Sequence, residues 1–127
     1  MQECFALHNF YDGRNRVGLS EKTCVACRGG VEPLSMQEAK KLLKEIPEWE
    51  ISSKGTSLVR NFKFKNFSKA LEFVNKVGEI AEQEKHHPDL TFGWGYCQIV
   101  LTTHAIGGLH QNDFIVAAKI NKLIPAV

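Results

Sequence analysis

The chain has 127 residues, 43% of them hydrophobic and 24% charged, with a formal net charge of +2. A single domain whose core needs no disulfide staples is expected at this length, because such a chain buries about two thirds of the surface it exposes when unfolded. The small net charge and the lack of a basic run argue against direct nucleic-acid binding, and no apolar run approaches the roughly 20 residues that cross a bilayer.

Residues 1–33 read as an irregular arm, because Gly13, Gly18, Gly29, Gly30 and Pro33 interrupt any helical or strand period. Met1–Phe10 has neither a basic start nor a continuous apolar stretch, so no secretory signal is expected and the cytosol is the expected compartment. The four cysteines are then expected to be thiols. Cys24 and Cys27 form one C-x-x-C pair, which is half of a zinc site; Cys4 and His8 stand at no recognised ligand spacing from it. A redox pair would open a helix after a strand, whereas Arg28-Gly29-Gly30 follows here. Structural or incidental thiols are the expectation, and no metal or cofactor is expected.

The folded domain is expected over 34–127. Ser35-Met-Gln-Glu38 is a capping box, and Ala39, Leu42, Leu43 and Ile46 fall on one helical face up to Pro47. A short strand is expected at about 49–52 and a turn over 53–56. A second strand over 57–65 would place Leu58, Phe62 and Phe64 on one face, with Arg60 interrupting it. Phe67, Ala70, Leu71, Val74, Val77 and Ala81 repeat at helical spacing, which predicts a long helix over about 67–84. Pro88 disfavours helical geometry at His87, so this helix must stop before that residue. Leu90, Phe92, Trp94 and Tyr96 are expected on one face of a third strand, turning near 95–96 into a fourth strand over 97–103. A last helix is expected over about 110–123, with His110 at its N-cap and Asp113 at its N3 position. The fold class is α+β, with a four-stranded antiparallel sheet, three helices packed on one face and the order α-β-β-α-β-β-α.

Three of the five histidines lie in two short runs, Glu82–Pro88 and Thr102–His104. Imidazole, with an unperturbed pKa of about 6.5, both gives and takes protons near neutrality. Brought together, the two runs would make a proton-transfer site that needs no metal.

His86-His87-Pro88, with Glu82 before it and Trp94, His104 and Asp113 after it at fixed spacing, resembles the signature of pterin-4a-carbinolamine dehydratases. The resemblance runs from Leu34 to the C-terminus, and the Cys24–Gly30 lead-in is similar to the arm of longer members. It implies dehydration of 4a-hydroxytetrahydrobiopterin to quinonoid dihydrobiopterin, the step that recycles the cofactor of aromatic amino acid hydroxylases. It also implies His86, His87 and His104 as the acid/base set and Lys85, Thr102, Thr103 and Ala105 as pterin contacts. Trp94 would stack on the ring, Glu82 and Asp113 would hold imidazoles, and Pro88 would fix the helix exit. Two positions depart from the family pattern: Lys85, where an acidic residue is common, and Asn112, where arginine is common. Members form homodimers and homotetramers. Some serve as a dimerisation cofactor of a homeodomain transcription factor, and related proteins act as assembly chaperones, so a non-catalytic binding module is the competing expectation.

Overall fold

A computed structural model describes residues 18–25 and 31–124. Cys4, His8 and Cys27 lie outside the described residues, and so does the completeness of the C-x-x-C pair. The helices are α1 (Met36–Leu43), α2 (Phe67–Glu84) and α3 (Gln111–Asn121), and the strands are β1 (Glu50–Ile51), β2 (Leu58–Lys63), β3 (Asp89–Gly93) and β4 (Tyr96–Leu101). All strand pairs are antiparallel and the sheet order is β1-β2-β4-β3. The helix and strand order matches the expected α-β-β-α-β-β-α arrangement.

Local chemistry accounts for the helix starts. Ser35 Oγ accepts the Glu38 amide while the Glu38 carboxylate accepts the Ser35 amide, closing the capping box. Asn66 Oδ1 accepts the Lys69 amide at the start of α2. Helix α1 stops at Leu43, short of Pro47, because its last turn tightens: the amides of Lys44, Glu45 and Ile46 each bond three residues back. That turn drops Ile46 fully into the core.

The core lies between the sheet and α2 and α3. Phe73 and Val77 of α2 meet Leu58 and Phe62 of β2 and Cys97, Ile99 and Leu101 of β4. Burying a side chain such as Phe73 completely contributes about 1.5–3 kcal/mol. Arg60 does not leave a gap in the apolar face of β2. Its guanidinium lies 4.4 Å from the Phe62 ring centroid, donates to Asn121 and pairs with Glu48.

Helix α3 is buried on most of its sides. Ile115 and Val116 are buried along with Phe114, Ala117, Ala118 and Ile120. Residues 18–25 supply the extra cover: Leu19 and Val25 are buried, and Lys119 Nζ donates to the Ser20 carbonyl. A helix that is apolar all round must be covered all round.

The β3–β4 hairpin corrects the expected placement of its aromatic residues. Gly95 adopts φ +82°, so the chain turns at Trp94–Gly95 and Trp94 sits in the turn rather than in a strand. Phe92 pairs with Cys97, and Gly93 pairs with Tyr96. Tyr96 therefore belongs to the sheet face opposite Phe92, where its ring fills the space a Gly93 side chain would need.

Candidate active site

The C-terminus of α2 sets the site. Lys85 adopts the left-handed conformation, φ 54°, and both its amide and that of His86 bond the Ala81 carbonyl. This ends the helix at Glu84, two residues before His86, and turns His86 and His87 out of the helical path ahead of Pro88. From the other side, β4 ends at Leu101, and Thr103 bridges to Gly108. The loop between them is a 3-10 turn, His104–Ile106, closed by Gly107 at φ 66°.

Asp113 stands at the centre of what these elements bring together. It is fully buried at the N3 position of α3. Its Oδ2 accepts the His110 amide at 3.0 Å and the Thr103 hydroxyl at 2.8 Å, and its Oδ1 accepts His86 Nε2–H at 2.6 Å. One carboxylate thus caps a helix, anchors the end of β4 and aims an imidazole. With Nε2 committed to Asp113, Nδ1 is the ring nitrogen of His86 that this bond leaves uncommitted. His87 Nε2–H donates to Glu82 Oε2, also at 2.6 Å, but this pair is solvent-exposed.

His110 is buried beside this group. Its Nδ1 accepts the Asn112 amide at 3.0 Å, so the ring itself serves as the N-cap. Burial holds the His110 imidazole below its usual pKa; the Asp113 carboxylate opposes the shift and His86 adds to it.

His86, His87 and His104 line one open cleft of about 710 Å³ with Lys85, Thr102, Thr103 and Ala105. That volume lies within the range of small-molecule sites, about 300–1,000 Å³. The threonine hydroxyls are committed within the protein: Thr102 donates to the Thr56 carbonyl at 2.6 Å and Thr103 to Asp113. Glu82, Pro88 and Asp113 stand behind or beside the cleft rather than in its lining. Trp94 is elsewhere. It is 72% exposed in the hairpin turn, at the end of β3 and β4 away from the histidines, and does not line the cleft. A larger groove, about 990 Å³, lies along Leu34, Lys41, Leu42 and Gln111 and holds none of these three histidines. Among the described residues, no group of three or more His, Cys, Asp or Glu side chains is arranged to hold a metal ion.

Sequence reasoning missed part of the lining. Thr23, Cys24, Val25, Gln83, Glu84 and Asn112 also face the cleft. Gln83 and Glu84 lie within the Glu82–Pro88 run, and Asn112 adjoins Asp113. Nothing in the arm's composition pointed to residues 23–25.

The family model for pterin 4 alpha carbinolamine dehydratase matches residues 32–123. The chain belongs to the pterin 4 alpha carbinolamine dehydratase family. A protein of Methylococcus capsulatus, provisionally named a pterin-4-alpha-carbinolamine dehydratase, is 52% identical over 105 residues, covering 83% of this chain and 92% of that one. A relative in Halorhodospira halophila, named in the same provisional way, is 50% identical over 107 residues, covering 84% of this chain and 98% of its own. Among solved structures of this dehydratase fold, one from Brucella melitensis, described as a transcriptional coactivator/pterin dehydratase, superposes with a TM-score of 0.69. It is 28% identical and covers 72% of this chain and 98% of that one. A pterin dehydratase-like RuBisCO assembly factor of the alpha-carboxysome, 23% identical with a TM-score of 0.54, shares the fold.

Proposed function

We propose that this protein dehydrates 4a-hydroxytetrahydrobiopterin to quinonoid dihydrobiopterin and water, using its histidines as general acid and base. The reaction removes the N5 proton and the C4a hydroxyl of the pterin and leaves a C4a=N5 double bond. The observation that carries the reading is His86, held by the buried Asp113, lining the same cleft as His87 and His104. His86 is suited to take the N5 proton at Nδ1, because the buried Asp113 carboxylate stabilises the charge that then develops on the ring. His87 and His104 are the groups of the set available to protonate the departing hydroxyl. Lys85, Thr102, Thr103 and Ala105 form the pterin surface. The step needs only proton transfers, and its place is the recycling of a reduced pterin behind an aromatic amino acid hydroxylase.

Residues 34–127 would form the catalytic domain and the preceding residues an accessory arm. Assembly as a homodimer or homotetramer belongs to the same reading. It is supported by exposed Phe67, Leu71, Trp94 and Tyr96 and by the edge position of β3 in the sheet. The same exposed residues suit a non-catalytic binding module, the second reading; the Brucella melitensis description pairs a coactivator role with a dehydratase one. Stopped-flow decay of the 4a-carbinolamine separates the two. The wild-type protein should accelerate decay, and His86→Ala and His104→Ala should each lose about 10²–10⁴ of that rate. No acceleration by the wild type would leave the binding module as the function.

A further inference from the structure

We propose that Thr23–Val25 is a built wall of the pterin cleft, and that Asn112 and Glu84 are the positioning residues that hold it there. The inference rests on the dehydratase reading. The wall is tied down from two sides. The side-chain amide of Asn112 grips Val25 in both directions: its Oδ1 accepts the Val25 amide at 3.2 Å and its Nδ2 donates to the Val25 carbonyl at 2.7 Å. Glu84 Oε1 accepts the Cys24 amide at 2.7 Å, while Oε2 faces Lys119 Nζ at 3.5 Å. The Cys24 thiol donates to the Asn112 carbonyl at 3.6 Å. Asn112 is buried and the Glu84 side chain is 9% exposed, so neither hydrogen bond competes freely with water.

Covering α3 explains only part of this clamp. Leu19 and Val25 provide that cover, yet Thr23, Cys24 and Val25 also face the cleft with His86, His87 and His104. The clamp residues adjoin the chemistry as well. Glu84 lies on the last turn of α2 just before His86, and Asn112 immediately precedes Asp113, which aims His86. The wall does not itself react. Burial, then the neighbouring Glu84 carboxylate, push the Cys24 thiol far above its usual pKa, so it stays a neutral thiol. Its contribution is binding surface, which acts on how tightly the pterin is held rather than on how fast it reacts.

The test uses the full chain and two probes, the 4a-carbinolamine for turnover and 7,8-dihydrobiopterin for equilibrium binding. Asn112→Ala removes the grip, and Val25→Pro removes the amide that Asn112 Oδ1 accepts while leaving every residue of α3 unchanged. Each should raise KM and the dihydrobiopterin Kd about tenfold while kcat stays within about threefold and its pH profile is unmoved. Glu84→Ala should act in the same direction, and Glu84→Gln, which keeps an acceptor oxygen for the Cys24 amide, should return towards wild type. If Asn112→Ala does not fold, Val25→Pro decides. Unchanged KM and Kd in Val25→Pro, with an active wild type, would overturn the wall. So would a fall in kcat at constant KM, which would mean that the clamp acts through His86. A wild-type protein that neither accelerates decay nor binds the pterin would instead refute the dehydratase reading, and the wall with it.

Discussion

Two imidazole–carboxylate pairs lie at the cleft with the same 2.6 Å separation and opposite surroundings. On the floor, the side chains of His86 and Asp113 are 12% and 0% exposed; on the rim, those of His87 and Glu82 are 60% and 79% exposed. Separation alone therefore says little about what a contact contributes. The rim pair exchanges freely with water and is screened within about 10 Å at 0.1 M salt. The floor pair is locked, because both Asp113 oxygens already serve backbone, hydroxyl and ring donors. Asp113 is fully buried, so water does not compete for its oxygens.

Removing Asp113 should produce the largest effect. Asp113→Ala strips the acceptor from His86, Thr103 and the His110 amide together, and should lower unfolding free energy by about 3–5 kcal/mol. Chemical denaturation measures this, and a loss under about 1 kcal/mol would abolish the distinction between floor and rim.

Next in size is the acid sensitivity of His110, buried beside the floor pair. His110 has a folded-state pKa below the usual 6.5, so the unfolded chain binds more protons in that window. The stability it contributes is complete above about pH 6.5 and declines as pH falls from there through the lowered folded value. Protonation also takes the Nδ1 lone pair from the Asn112 amide, a cap worth about 0.5–2 kcal/mol. His110→Asn keeps a good cap without a titrating ring. Its denaturation midpoint should be flatter as pH falls below about 6.5 than that of the wild type, and an unchanged slope would remove His110 from the account.

On the rim, Glu82→Gln should cost less than about 1 kcal/mol, and the difference from wild type should shrink in 1 M salt. A larger, salt-insensitive loss would show the rim pair to be as locked as the floor. The smallest effect belongs to Trp94→Ala. With that ring far from the cleft, KM for the carbinolamine should stay within about twofold of wild type. A tenfold rise would return Trp94 to the pterin surface.

What the amino-acid sequence discloses follows how local the cause is. Helix α2 is legible because its buried stripe repeats through Ala70, Phe73, Val77 and Ala81. The box at Ser35 and the N3 place of Asp113 are legible because caps act within one turn. The β2–β4 pairing joins strands with a whole helix between them, and no turn residue announces it. Trp94 was misplaced because the alternation of Phe92, Trp94 and Tyr96 carries on through a two-residue turn as if the strand had not ended. The grip of Asn112 on Val25 spans 87 positions and rests on one amide side chain, so neither periodicity nor spacing reveals it.

The double duty of Asp113 bears on how relatives with other jobs should be told apart. A lineage that abandoned turnover would gain nothing by discarding this acid, since the last helix would lose its starting clasp and the β4 terminus its mooring. Finding the aspartate in a homologue is therefore silent about catalysis. Among the described residues the imidazole it aims makes no side-chain bond except the one to this acid, so its disappearance is the change that marks a scaffold which has left chemistry behind.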